Sequence, residues 1–192
     1  MGIYCLIDRS GSMANCVDDT IGGFNTFLNE QKKSNSQLDF SLNLFDHEFI
    51  NIFTGNILDA PDLTKETFIP RGSTSLFDSI GELIKNVQSN EKHVIIVILT
   101  DGVENSSKIY TKGSILDIIT MKKKENWEFI YLGANQDAIE VSKEYGICCE
   151  NTLSFDTENI CSAFRSLSNA VTRNISGQPV NFSDIERTSS KI

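Results

Sequence analysis

The sequence lacks the features that would assign it to a membrane or to a nucleic acid. None of its apolar runs reaches the roughly 18 residues that a transmembrane helix needs. Basic residues are in the minority, since 17 lysines and arginines stand against 26 aspartates and glutamates, for a formal net charge of -9. Nonspecific nucleic-acid binding requires clustered cations that displace counterions. We therefore expect neither a membrane nor a nucleic acid among the partners.

Cysteine is scarce, and its spacing excludes two further classes. The five cysteines are an odd number, and they include the adjacent pair Cys148 and Cys149 but no Cys-x-x-Cys spacing. Neither a disulfide framework nor a zinc site is therefore expected. Reduced thiols indicate a cytoplasmic protein. The first predicted strand begins near Ile3, which leaves no room for a signal peptide and favours the same compartment.

Familiar catalytic motifs are absent as well. The chain has no Gly-x-x-x-x-Gly-Lys-Ser/Thr phosphate loop, no Gly-x-Ser-x-Gly elbow and no Gly-x-Gly-x-x-Gly fingerprint. Ser10 stands where a phosphatase with an aspartyl nucleophile at Asp8 would need a second acid, and the two histidines show no triad pattern with a serine. We expect a protein without catalytic activity. The alternatives are a metal-dependent phosphoryl- or nucleotide-processing enzyme, and a protein that sequesters or inhibits another factor.

Three polar loops carry oxygen-bearing side chains next to predicted strands and helices. Asp8, Ser10 and Ser12 alternate directly after the first apolar run, and Asp101 closely follows a run of β-branched residues. Thr74 lies in a polar loop that opens an amphipathic stretch. The carboxyl ends of parallel strands form the ligand-binding edge of an open α/β sheet. Because hard divalent cations prefer oxygen ligands, these five residues predict a site for Mg²⁺ or Mn²⁺.

Several of these residues also have an ordinary structural interpretation. Serine and threonine favour turns and helix starts, so the two serines and Thr74 are typical of loops and caps as well. His47 and its two acidic neighbours form a second candidate cluster for metal or acid-base chemistry, although polar turns commonly collect such residues. Glu104 and Asn105 are candidates for the rim of the predicted site, and Asp78 for a hydrogen-bonding partner behind it.

The order Asp-x-Ser-x-Ser, then Thr, then Asp is the pattern of a metal-ion-dependent adhesion site, and over about residues 1–172 the sequence resembles a von Willebrand factor A domain. The matching positions are Asp8, Ser10, Ser12, Thr74 and Asp101. The resemblance implies a protein-interaction module, in which a partner protein presents an acidic residue that completes the coordination of the cation. The chain is similar to intracellular bacterial and phage members, which implies an assembly or adaptor role.

Hydrophobic periodicity predicts one α/β domain over residues 1–175, followed by a flexible tail at 176–192. We expect a doubly wound, mainly parallel central sheet of the Rossmann-like kind, with helices on both faces and one antiparallel edge strand. Strands are predicted at 3–7, 38–45, 49–54, 94–99 and 127–132 and around Thr152, and helices at 18–33, 75–89, 113–124, 136–145 and 157–173.

Overall fold

A computed structural model describes residues 1–34, 37–87, 93–134 and 137–191 of the chain. Its strands are β1 (Gly2–Asp8), β2 (Asp39–Phe45), β3 (Phe49–Asn56), β4 (Val94–Thr100), β5 (Trp127–Ala134) and β6 (Thr152–Phe155). Its helices are α1 (Val17–Ser34), α2 (Leu76–Asn86), α3 (Lys112–Lys123), α4 (Ala138–Glu144), α5 (Ile160–Ile175) and α6 (Asp184–Ser189). Within these ranges, no helix combines the length and the apolar character needed to cross a membrane.

The described strands form a sheet in the order β3-β2-β1-β4-β5-β6. Neighbouring strands are parallel except for β2 and β3, which form an antiparallel hairpin at one edge. The predicted fold class, a mainly parallel sheet with one antiparallel edge strand, is confirmed. The order of strands reverses at β1, which lies between β2 and β4. In open α/β sheets, ligands bind at such a point, outside the carboxyl ends of the strands.

Helices cover both faces of the sheet, because the strands are apolar on both sides. β4 is buried along its whole length, as expected for a β-branched central strand of a parallel sheet. Alternate residues of β1 enter different cores: Ile3 and Ile7 pack with α1 and α5, whereas Leu6 packs with α2 and α3. Each fully buried isoleucine or leucine contributes about 1.5–3 kcal/mol relative to exposure. The two cores thus hold β1 and β4 firmly beneath the loops that follow them.

The boundaries of the elements differ from the predicted ones by a few residues. The hairpin between β2 and β3 turns where predicted, but β3 continues to Asn56 and carries a bulge opposite β2. The second major helix is α2, which ends at Asn86; its predicted end, Ser89, lies outside the described residues. The helix predicted to begin at Gln136 is α4, which begins at Ala138; Gln136 also lies outside them.

Residues 176–191, which the sequence predicts to be a flexible tail, contain a helix and buried apolar residues. Val180 and Phe182 are 3% and 5% exposed and belong to the core beneath α1 and α5. Ser183 begins α6 with a capping box, and Arg187 Nη1 donates to the carbonyl group of the first residue of β6 at 2.7 Å. The segment therefore packs beside β6, at the edge of the sheet opposite β3. Two apolar residues in a short polar stretch show no periodicity, which is why the sequence pattern assigns them no structure.

Candidate metal site

The first loop turns sharply at the end of β1, and Asp8 fixes that turn. The Asp8 side chain is fully buried. Its Oδ1 accepts the backbone N–H of Ser10 at 2.6 Å, and its Oδ2 accepts the hydroxyl of Thr100, the last residue of β4, at 2.6 Å. The turn places the hydroxyl oxygens of Ser10 and Ser12 3.1 Å apart. A carboxylate and two hydroxyls from one loop thus lie above the junction of β1 and β4.

The second and third loops complete this group of oxygen atoms. Ser12 Oγ donates to Asp101 Oδ1 at 2.6 Å, which joins the first loop to the third. A Cβ atom placed on Gly102 would lie 3.0 Å from Thr74 Oγ1 and 3.7 Å from both Asp8 Oδ2 and Ser12 Oγ. Side chains of all three loops therefore surround the same small space. The structure brings the five predicted residues together, as the sequence pattern requires.

The donor set fits a hard divalent cation. Burial and, to a smaller extent, the negative charge of Asp101 raise the pKa of Asp8 to about 6, although the hydrogen bonds from Thr100 and Ser10 act in the opposite direction. Burial likewise raises the pKa of Asp101. Neither carboxylate forms an ion pair with a described lysine or arginine. A divalent cation would neutralise both carboxylates, and its remaining coordination positions would be free for water or for an oxygen atom of a partner.

Thr74 is held in place from the third loop. The side-chain oxygen of Asn105 accepts the N–H of Thr74 at 2.9 Å, and the N–H of Asn105 donates to the carbonyl oxygen of Thr74 at 3.0 Å. Glu104 Oε2 accepts the N–H of Phe77 in the first turn of α2 at 2.9 Å. Both residues were predicted at the rim of the site, and the structure shows that their side chains tie the third loop to the second.

Asp78 fixes the far end of the third loop. It lies in the first turn of α2, and its carboxylate accepts the backbone N–H groups of Lys108, Ile109 and Tyr110 at 2.8, 2.9 and 2.7 Å. Burial opposes the charge, but the three N–H donors outweigh it, so the pKa of Asp78 is lowered. Asp78 therefore binds the loop that follows the site, rather than a ligand side chain.

Asp46 ties the first and second loops together, and sequence reasoning missed this role. Its side chain is fully buried, and its Oδ2 lies 3.0 Å from Arg9 Nε, in the first loop, and 2.9 Å from Arg71 Nε, in the second. Its Oδ1 accepts the N–H of Glu48 at 2.8 Å and lies 3.1 Å from His47 Nδ1. One signal was available: an arginine directly follows Asp8, and another lies three residues before Thr74.

The cluster of Asp46, His47 and Glu48 is the second candidate metal group of the sequence. Ligand atoms of the three residues lie within 4.8 Å of one another. Arg9 and Arg71 place two guanidinium groups against Asp46, however, and positive charge at this distance opposes a divalent cation. The cluster is therefore better suited to holding the loops than to binding a metal.

Backbone contacts align the same two loops. The N–H of Gly11 donates to the carbonyl of Gly72 at 3.2 Å, and the N–H of Arg71 donates to the carbonyl of Arg9 at 2.9 Å. Gly72 has a φ of +67°, and a Cβ atom there would lie 2.3 Å from His47 Nδ1. Only glycine meets both requirements without strain. The second loop thus depends on Gly72 for its close approach to the first loop and to the hairpin turn.

Comparisons with known proteins were made by sequence and by structure. No protein-family model and no curated protein sequence matches this chain. The von Willebrand factor domain of the type V pilus tip protein Mfa5 from Porphyromonas gingivalis superposes with a TM-score of 0.70 at 12% identity, over 95% of this chain and 98% of that chain. Proximal thread matrix protein 1 from the mussel byssus, in a structure with a zinc-occupied metal-ion-dependent adhesion site, gives a TM-score of 0.65 at 13% identity.

A third similar structure is the ArnB paralog VWA2 from Sulfolobus acidocaldarius, with a TM-score of 0.62 at 17% identity. The alignments cover 88% of this chain in each case, but only 45% of the mussel protein and 44% of VWA2. The chain therefore spans less than half the length of these two proteins. At such identities the likeness concerns the fold. Together with the sheet order and the three converging loops, it shows that this chain has the fold of a von Willebrand factor A domain.

Proposed function

We propose that this domain binds a partner protein through a divalent cation, Mg²⁺ or Mn²⁺, and that an acidic side chain of the partner completes the coordination of the cation. The observation that carries the proposal is the convergence of a buried carboxylate (Asp8), a partly buried carboxylate (Asp101) and three hydroxyls from three loops. The residues that would hold the cation are Asp8, Ser10, Ser12, Thr74 and Asp101. The bound cation would supply an electrophilic centre for a carboxylate oxygen.

One further feature supports binding over catalysis, and another supports a cytoplasmic location. The hydroxyls of Ser10, Ser12 and Thr74 surround the same space as the carboxylates of Asp8 and Asp101, and an all-oxygen donor set of this kind suits a hard cation. The five cysteines are free thiols in the structure, including three exposed ones, which suits a reducing compartment.

Metal titration tests the first half of the proposal. We expect calorimetry to show binding of Mg²⁺ and Mn²⁺ to the wild-type chain, and D8A or T74A to weaken it by more than about tenfold, because even residues behind metal ligands have effects of that size. D117A is the matched control, since Asp117 is an exposed acid on α3. Unchanged affinity in folded D8A would overturn the site.

Partner capture tests the second half. Immobilised wild-type protein and D8A are compared in native lysate, each with and without a chelator. A protein retained by the wild type, lost with chelator and lost in D8A supports the proposal, provided that substitution of its own acidic residues also releases it. Equal retention by a folded, metal-free D8A chain would locate the partner surface elsewhere. Metal-dependent hydrolysis of a phosphoester by the wild type and not by D8A would support the enzymatic alternative instead.

A further inference from the structure

Two adjacent thiols lie at the edge of the sheet opposite the metal site. Cys148 and Cys149 connect α4 to β6 and are both exposed. β6 runs parallel to β5, and its first residue, Thr152, pairs with Tyr131 in the middle of β5. Cys148 precedes that pair and contacts Lys123, which lies shortly before the start of β5, so the two thiols lie towards the amino-terminal ends of the strands. The loops of the candidate metal site follow the opposite, carboxyl-terminal edge. A chemical modification of Cys148 or Cys149 would therefore take place away from the candidate metal site.

The two thiols have different partners. Lys123, the last residue of α3, places Nζ 3.1 Å from Cys148 Sγ, and the same ammonium group donates to the carbonyl of Gly146 at 3.2 Å. The contact with Gly146 orients the side chain of Lys123 towards Cys148. Cys149 instead lies beside the carboxylate of Glu150 and helps to lower the pKa of that group. Cys148 thus faces a cation, whereas Cys149 faces an anion.

A cavity of about 470 Å³ opens beside the pair. Ile139 and Ile147 supply apolar wall, and Lys143 adds a second ammonium group. Arg187 Nη2 donates to the backbone carbonyls of Cys149 and Glu150 at 2.7 and 3.3 Å. Lys143 and Glu150 are the charged residues that line the cavity, and Lys123 adds an ammonium group beside Cys148. The volume lies in the range of small-molecule sites, and the two ammonium groups are available to an anionic ligand.

We propose that Cys148 is a modification site that forms a mixed disulfide with a small anionic disulfide of the oxidised-glutathione class. The thiolate of Cys148 attacks one sulfur atom of the disulfide. A bond forms between Cys148 Sγ and that sulfur, the bond between the two sulfurs of the reagent breaks, and the leaving thiolate takes up a proton from water. No further oxidant is needed, because the disulfide itself is reduced.

Lys123 and the cavity explain why this cysteine is selected. The thiolate is the nucleophile in disulfide exchange, and the ammonium group of Lys123, 3.1 Å from Cys148 Sγ, is an ion-pair partner for it. Lys143 provides a counter-ion for the carboxylates of the incoming molecule. Cys149 lies beside Glu150 rather than beside a lysine. Cys161 is exposed but lies on α5 in a separate groove.

The test uses the full chain and oxidised glutathione, with the rate at each cysteine followed by intact mass and peptide mapping. We expect Cys148 to react more than about tenfold faster than Cys161, the exposed reference thiol, and K123Q to remove most of this advantage. K124Q is the matched control, because Lys124 is an exposed neighbour of Lys123. Thermal melting confirms that both variants are folded.

Three outcomes would overturn the proposal. They are equal rates at Cys148 and Cys161, faster reaction at Cys149 than at Cys148, and equal effects of K123Q and K124Q. A neutral disulfide, hydroxyethyl disulfide, separates the role of the cavity from that of the thiol. We expect K143Q to slow the reaction with oxidised glutathione and to leave the reaction with the neutral reagent unchanged; equal slowing of both would remove the anionic reagent from the proposal.

Discussion

Replacing Asp46 with asparagine tests how the loops of the metal site are held together. The substitution keeps the volume of the side chain and leaves Oδ1 able to accept the N–H of Glu48, as it does at 2.8 Å in the wild type. It removes the negative charge between Arg9 and Arg71, whose Nε atoms lie 3.0 and 2.9 Å from Asp46 Oδ2. The variant therefore separates the charge of Asp46 from its packing.

The magnitude follows from the burial of each partner. The side chains of Asp46 and Arg9 are 0% and 8% exposed, so the variant leaves an uncompensated buried guanidinium group. Breaking such a pair costs about 3–5 kcal/mol. Arg71 is 46% exposed, and pairs of that kind contribute less than about 1 kcal/mol. We expect D46N to lower the free energy of unfolding by about 3 kcal/mol, or the Tm by roughly 6–12 °C for a domain of this size.

Thermal and denaturant unfolding measure the loss of stability in D46N, and two further variants show where it comes from. E48Q is the control: Glu48 is 55% exposed and pairs only with Arg71 among the described residues, so it is expected to cost less than about 1 kcal/mol. The double variant D46N/R9M removes the buried charge and is expected to recover part of the stability. A D46N loss no larger than that of E48Q, or a double variant less stable than D46N, would refute the argument.

Two further predictions concern the other supports of the site. D78N is expected to lower the free energy of unfolding by about 1–3 kcal/mol at neutral pH, because hydrogen bonds to a charged acceptor are stronger than those to a neutral one. The pKa of Asp78 is lowered in the folded state. The stability of the wild type should therefore approach that of D78N as the pH falls below 3.8, the ordinary pKa of an aspartate. Thermal melts over pH 3–7 check this, and a constant gap across that range would contradict it. G72A is expected to destabilise by about 1–2 kcal/mol from backbone strain alone and by more from the contact with His47, so G72A/H47A should unfold at a higher temperature than G72A; equal stability would show that His47 is not the obstacle.

The ligand set could be predicted from the sequence because each of its members has a local signal. Asp8 and Asp101 end or follow strongly apolar strands, and Thr74 lies just before an amphipathic helix. The strands were recognisable by their apolar runs, and the parallel topology then brings their carboxyl ends to one edge. The mainly parallel sheet was recognisable for the same reason, since strands and helices alternate along the chain.

The residues that hold the ligands in place had weaker signals, because their partners are distant in sequence. Asp46 lies in a polar hairpin turn, where acidic residues are common for reasons of turn geometry alone. Its role depends on two arginines that are distant in sequence and meet it only in the folded chain. The position of Asp78 also has an ordinary explanation, because an acid in the first turn of a helix interacts favourably with the helix dipole. The three N–H donors of the third loop could therefore not be inferred from that position.

The two kinds of residue divide the site into a metal-binding part and a supporting part, and the division has a physical basis. Asp8 and Asp101 bring two negative charges into a partly dry space, which costs stability until a cation arrives. The hydrogen bonds that Asp8 accepts do not offset this cost, since its pKa is still raised. The donors around Asp78 lower its pKa, and Asp46 lies between two arginines, so these two residues stabilise the fold without a metal. Substitution of a supporting residue should therefore lower the melting temperature with or without Mg²⁺. Substitution of a metal ligand should mainly remove the increase in melting temperature that Mg²⁺ produces, because a cation stabilises the folded chain only in proportion to its binding.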